Sequence, residues 1–256
     1  MRLEADGHEV VGFDLAEGQD IRDARAVRLA ASGCEAIVHL AGLPDDLGAS
    51  SEDVMAVNLL GTWNVLVAAQ AAGAARVVYA SSGKAVGLLE REPAYLPVDD
   101  AHPGLPSRPY GLAKWLSEEM CEAFTRASGI ATICLRPVLV LDERGWAEQA
   151  PGRELPMPPG AASWHLGVFV DVADVADAVA LSLSAPDGRH VRALLCAEDI
   201  ASARPSAGSA AEYLPGVPWR AGAAYPAESR RALIDCAVAR DELGWTPHVT
   251  WAERRL

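Results

Sequence analysis

The chain has 256 residues, half of them apolar, enough for one globular unit with a sizeable core and at most a small appended part. Its net charge of −13 argues against nucleic acid and anionic membranes as partners, since both need basic surface. No apolar run approaches the ~20 residues that span a bilayer, and no secretory signal is visible. The five cysteines, Cys34, Cys121, Cys134, Cys196 and Cys236, are scattered and lack metal-ligand spacing. They read as buried thiols of a cytoplasmic protein, and no metal is expected.

Taken in order, residues 1–8 read as the tail of a helix with Gly7 as its C-cap. Residues 9–13, Glu-Val-Val-Gly-Phe, form a short predicted strand ending at Asp14, and a loop with Asp20 and Ile21 leads into a short helix. Residues 36–42, Ala-Ile-Val-His-Leu-Ala-Gly, are a buried strand that runs into small residues, where backbone can approach a ligand closely. His39 within it reads as a satisfied core histidine. A Gly/Pro/Asp loop precedes a long helix over about 51–72, which carries Asn58 and Asn64. Residues 76–82, Arg-Val-Val-Tyr-Ala-Ser-Ser, are a buried strand ending in two hydroxyls, at the edge where open α/β sheets place ligands. A loop with four prolines and several acids spans 88–108.

Pro109 suits the first turn of a helix, and Leu112, Leu116, Met120 and Phe124 continue at i, i+4 spacing. Tyr110 and Lys114 therefore share a face, one turn apart. An ammonium close to a phenol favours the phenolate and lowers a pKa that otherwise sits near ~10. Such a phenol exchanges a proton with an alcohol or a carbonyl near neutral pH. The bland alternative is a surface helix with an unrelated Tyr and Lys, against which the Ser81-Ser82 strand end weighs. Strands follow over 131–135 and 190–196, separated by a Pro-, Gly- and Trp-rich stretch over 141–167 and a helix opened by Asp171.

Read together, these pieces resemble the extended short-chain dehydrogenase/reductases, the NAD-dependent epimerase/dehydratase family. The matching residues are His39-Leu40-Ala41-Gly42, Asn58-Leu-Leu-Gly61-Thr62-Trp-Asn64, Val78-Tyr79-Ala80-Ser81-Ser82, Tyr110-Gly-Leu-Ala-Lys114 and Leu135-Arg136-Pro137. Further on, Phe169-Val-Asp-Val-Ala-Asp174-Val-Ala-Asp177-Ala and Glu242-Leu-Gly-Trp-Thr-Pro247 also match. The resemblance implies an α/β fold, a Rossmann-like doubly wound parallel sheet. Residues 1–140 would form the NAD-binding domain, and residues 141–256 a small substrate-binding part interleaved with its end.

The resemblance also implies roles. Tyr110 would be the acid or base, Lys114 would lower its pKa and hold the nicotinamide ribose, and Ser82 would orient the reacting oxygen. Asp14 would bind the adenosine ribose and favour NAD over NADP, or else cap the next turn. Asp20 would meet the adenine amino group and Ile21 the ring face, with Leu40, Ala41, Gly42, Ser81 and Pro137 completing the cofactor contacts. Gly83 and Lys84 lie on the substrate side. Lys84 departs from the family pattern, and is either a point charge for a substrate anion or a solvated lysine. Arg144 and Arg153 are further candidates for an acidic substrate group, or ordinary surface arginines.

The family's first strand and Gly-x-x-Gly-x-x-Gly loop do not occur in the sequence, so either Met1 is internal to a longer frame or the short chain binds cofactor poorly. The absent strand is expected between the 10–13 and 77–80 strands in a 3-2-1-4-5 order, forcing the sheet to gap, re-pair or borrow. The expected chemistry is hydride transfer with NAD as cofactor on a small sugar, sugar acid or other secondary alcohol. A nucleotide-sugar epimerase or dehydratase is the alternative enzyme, and a non-catalytic binding protein the alternative of another class. A homodimer through the 51–72 and 109–128 helices is implied by the same resemblance.

Overall fold

The computed structural model describes residues 2–45, 48–88, 90–148, 167–220 and 225–254. The strands are β1 Ala36–His39, β2 Arg76–Ala80, β3 Ala131–Pro137, β4 Val140–Leu141, β5 Val170–Asp171 and β6 His190–Leu195. Four of them make a parallel sheet in the order β1-β2-β3-β6, while β4 and β5 form a separate two-stranded ladder. Val78 pairs with Val38 on one side and Ile133 on the other. Period-two alternation then divides the side chains between two faces. Val77, Tyr79 and Cys134 pack with Leu66, Ala69, Cys121 and Phe124 of helices Ser51–Ala72 and Pro109–Ser128. Val78, Ile133 and Leu135 face the opposite way, toward Ala178, Ala239, Leu243 and Trp245. Cover on both faces is why these strands are apolar almost throughout.

Strand β6 belongs to the part beyond residue 140 yet pairs with β3, so the two parts share one core. The proline-rich loop is stitched to the same region. Leu96 N–H donates to Pro218 O at 2.9 Å, and Val98 N–H to Leu233 O at 2.9 Å.

Three expectations need correction. Residues 9–13 are not a strand: they run without ladder partners, with Val10 45% and Val11 60% exposed. A strand needs a neighbour to take its backbone hydrogen bonds, and no ladder joins them to another strand among the described residues. Strand β1 also occupies the place beside β2 that was assigned to an absent strand, and among the described residues β1 and β6 are the two edge strands of this sheet. Finally, helix Ser51–Ala72 does reach the length and hydropathy that could cross a bilayer. Half of it lies buried in the protein, with the Asn58 and Asn64 amides hydrogen-bonded to Leu43 O and Ile21 O, as in a core helix. Its Met55–Leu60 segment is π-helical.

The turn Gly83–Val86 after β2 ends at Gly87, which has φ of 90° and would place a Cβ 2.8 Å from Leu105 O. Gly87→Ala should therefore cost at least about 1–2 kcal/mol, the left-handed penalty alone. Gly208, exposed in helix Ser206–Tyr213 with nothing within 4 Å, should behave oppositely, Gly208→Ala adding about 0.5–1 kcal/mol. Urea unfolding of the two variants checks both signs.

Candidate active site

Ser82 follows β2 and begins the Gly83–Val86 turn, its Oγ accepting the Lys84 N–H at 3.2 Å. Tyr110 is the second residue of helix Pro109–Ser128, opened by Pro109. The carboxylate of Glu90 caps that start, accepting the Ser107 N–H at 2.5 Å and the Arg108 N–H at 3.0 Å. One turn along, the Lys114 ammonium donates to Ala80 O at 2.6 Å. It stands 4.8 Å from the Tyr79 ring centroid and 5.7 Å from that of Tyr110. Strand end and helix start thus bring Ser82, Tyr110 and Lys114 together at the carboxyl edge of the sheet.

The electrostatics differ from the sequence expectation. Burial pushes the Tyr110 phenol above its ordinary value, and the Ser82 hydroxyl only partly offsets this. The lysine yields instead: burial lowers Lys114 to about 8, with Glu118 pulling it back up. Taking an ammonium out of water disfavours its charged form. Tyr110 is a protonated phenol here.

Beneath the site lies a polar chain. His39 Nε2 meets Thr62 Oγ1 at 2.9 Å, and Thr62 donates to Asn58 O at 2.6 Å. Ser117 donates to the same carbonyl at 3.2 Å. The π-helical segment exposes that carbonyl to two hydroxyls, while the Asn58 amide clamps the backbone of Leu43. His39 is neutral, lowered to about 3 by burial and then by the Lys114 charge.

Sequence reasoning missed Glu118, whose residue has no exposed surface. Arg136 Nε donates to its Oε1 at 3.0 Å and Nη2 to its Oε2 at 2.6 Å, and Ser81 Oγ–H also donates to Oε1. Asp100 joins through Arg136 Nη1 at 3.6 Å and the Leu194 N–H at 2.8 Å, leaving its Oδ2 buried without a partner. The signal available was a carboxylate four residues after Lys114 on the buried helix face.

Not every expected contact is there. Ile21 is buried against Gly61, where a Cβ would lie 2.8 Å from its Cγ2, so its side chain belongs to the core and not to an adenine ring. Both Asp20 oxygens are taken by Arg22, which holds that carboxyl down to about 2. The Ser81 hydroxyl is committed to Glu118, and Arg144 pairs with Glu148 at 2.9 Å. Arg153 lies outside the described residues. Asp14 caps the Leu15–Glu17 turn through the Ala16 N–H.

Other positions stay close to the site. A Cβ at Gly42 would lie 3.0 Å from Asn58 Oδ1 and 3.9 Å from Lys114 Nζ, and one at Gly83 would lie 3.6 Å from Pro137 O. Leu40 is 64% exposed beside Ala41. Bare backbone next to a buried ammonium fits the nicotinamide-ribose half of a dinucleotide. The pyrophosphate half has no glycine-rich loop in this sequence to hold it.

A hydroxyl, a phenol and a lysine gathered at the carboxyl end of a parallel sheet define the short-chain dehydrogenase/reductase class. A family model described as the NAD dependent epimerase/dehydratase family matches residues 1–158, more than half of the chain, and the chain belongs to that family. It is similar to the uronate dehydrogenase of Agrobacterium fabrum, 32% identical over 120 residues, 46% of this chain and 42% of that one. It is also similar to the UDP-glucose 4-epimerase of Rhizobium meliloti, 33% identical over 138 residues, 52% of this chain and 40% of that one. The chain thus aligns with about two fifths of the length of each relative. Among solved structures, a short-chain dehydrogenase/reductase superfamily protein from Agrobacterium tumefaciens with bound NAD matches with a TM-score of 0.71. It is 26% identical, over 99% of this chain and 89% of that one.

Two measurements probe the buried carboxylates. Glu118→Gln strands the Arg136 charge and should cost about 3–5 kcal/mol, whereas Glu118→Gln with Arg136→Met, removing both charges, should cost far less; urea titration reads both. Burial raises Asp100 to about 7. From its unfolded value near ~3.9 up to that value, the unfolded chain ionises while the folded chain keeps the proton. Its contribution to stability is therefore full at the acid end and falls as pH rises through that window. Asp100→Asn should remove this slope, seen as a smaller loss of unfolding free energy between its two ends.

Proposed function

We propose that the chain is an NAD-dependent oxidoreductase acting on a secondary alcohol or carbonyl of a small sugar or sugar acid, with Ser82, Tyr110 and Lys114 as its catalytic residues. The observation that carries this reading is the convergence of those three side chains at the sheet's carboxyl edge, with Lys114 buried and held on Ala80 O. In the reducing direction Tyr110, its pKa raised by burial, gives its proton to the carbonyl oxygen; in the oxidising direction Tyr110 first loses its proton, and the phenolate then accepts the proton of the alcohol. The Lys114 ammonium stabilises charge that develops on the phenol oxygen. Ser82 donates to the same substrate oxygen, where charge develops in the transition state. NAD, when bound, supplies the hydride acceptor. Asp14, Leu40, Ala41, Gly42 and Lys114 are the residues that would hold it, with Asp14 disfavouring a 2′-phosphate.

The uronate dehydrogenase relative supports net dehydrogenation as the first choice. The UDP-glucose 4-epimerase relative favours the second reading, epimerisation with the same three residues. Exposed Leu60 and Trp63 on helix Ser51–Ala72 and Leu112 on the neighbouring helix support a homodimer. The five free cysteines suit a reducing, cytoplasmic setting.

Tyr110→Phe should lower turnover on the order of 10²–10⁴ while leaving NAD affinity nearly unchanged. Calorimetry with NAD and a reduced-cofactor absorbance assay over a panel of sugars and sugar acids test this. No NAD binding by the unsubstituted chain would move the reading to a non-catalytic member of the family.

A further inference from the structure

Two ammonium groups face the Tyr110 ring, and among the described residues only Lys114 has a hydrogen-bond partner for its ammonium. Lys114 is bonded to Ala80 O and influenced by Glu118. Lys84 is half-buried, with Nζ 5.3 Å from the Tyr110 ring centroid, and among the described residues no carboxylate lies within ion-pair distance of it. With 35 acidic residues against 22 lysines and arginines, a cation without an acid is not short of candidates. Arg136, by contrast, is paired with Glu118, and Arg144 with Glu148.

The backbone that presents Lys84 is fixed. Its N–H donates to Ser82 Oγ at 3.2 Å, and its carbonyl accepts the Gly87 N–H at 3.0 Å. The same carbonyl presses against the Tyr110 helix, where a Cβ on Gly111 would lie 2.8 Å from it. The turn and the helix are therefore packed backbone to backbone, with residue 84 beside Tyr110. An aromatic face attracts a cation but does not neutralise it, so the contact with Tyr110 leaves the Lys84 charge open to an anion. An ammonium placed this close to Tyr110, with no carboxylate beside it among the described residues, suits an anion that arrives with the substrate.

We propose that Lys84 binds an oxyanion, carboxylate or phosphate, carried by the same small molecule whose hydroxyl or carbonyl meets Tyr110. This rests on the oxidoreductase reading and narrows its substrate to an acidic one. Lysine binds such a group as a point charge, without the planar fork that would select one oxyanion over another.

The sequence holds two lysines, Lys84 and Lys114, so protein labelled with 13C,15N-lysine gives two side-chain signals, assigned with Lys84→Arg. In saturating NAD, the labelled chain is titrated with glucuronate, glucose 6-phosphate and glucose. The Lys84 signal should move saturably with one or both anionic sugars and stay in place with glucose. A response to glucuronate alone identifies a carboxylate, and one to the phosphate alone identifies a phosphate. Lys84→Met, read by calorimetry, should weaken binding of the responding sugar roughly 10- to 100-fold, the worth of one charge-assisted contact. A Lys84 signal unmoved by both anions, or moved equally by glucose, overturns the proposal, as does Lys84→Met binding with unchanged affinity. The Lys114 signal is the separate control: if NAD itself leaves it in place, the oxidoreductase reading fails, while the response of Lys84 to an anion is still read.

Discussion

Glu118 sits in the middle of the molecule with its two oxygens divided among three elements. Arg136 from the end of β3 takes both, Ser81 from the end of β2 takes one, and the carboxylate itself rides on the helix that carries Tyr110 and Lys114. Two strand ends and one helix are therefore clamped by a single ion pair. Burying two charges is costly by itself, and is tolerated where the geometry is bidentate and the remaining lone pairs are filled. Its return is positional. Ser82 is the residue after Ser81, and Lys114 lies one helical turn before Glu118, so the reacting groups inherit their spacing from a contact that no substrate touches.

The second consequence is electrical. Removing Lys114 from water lowers its proton affinity, and the neighbouring carboxylate recovers part of it. Neutral His39 in the same layer adds no opposing charge. The helix thus supplies both the cation and the anion that steadies it, four residues apart on one buried face.

Much of this was legible because it is local. A strand ending in two serines and a helix with Tyr and Lys one turn apart are patterns of adjacent residues, and each lies in the expected kind of element. What was not legible depends on neighbours distant in sequence. The direction of the Tyr110 shift follows from burial, which no spacing reveals. Asp20 looked available until Arg22, two residues on, closed over it, and Ile21 was taken by a glycine forty residues away. Residues 9–13 have strand-like composition, but a strand is a relation between two segments, and among the described residues none pairs with them. The Glu118 clamp spans residues 81 to 136, and only a folded chain brings its parts together.

Among the described residues, strand β1 pairs on one side only, with β2, and Leu40 just past its end is exposed. Four residues of correctly spaced amide and carbonyl groups are a template, and a template does not distinguish between chains. For the residues described, that edge is where an extended apolar segment would find backbone partners. A net charge of −13 sets copies of the chain against one another at long range, and added salt weakens that defence by shortening its reach.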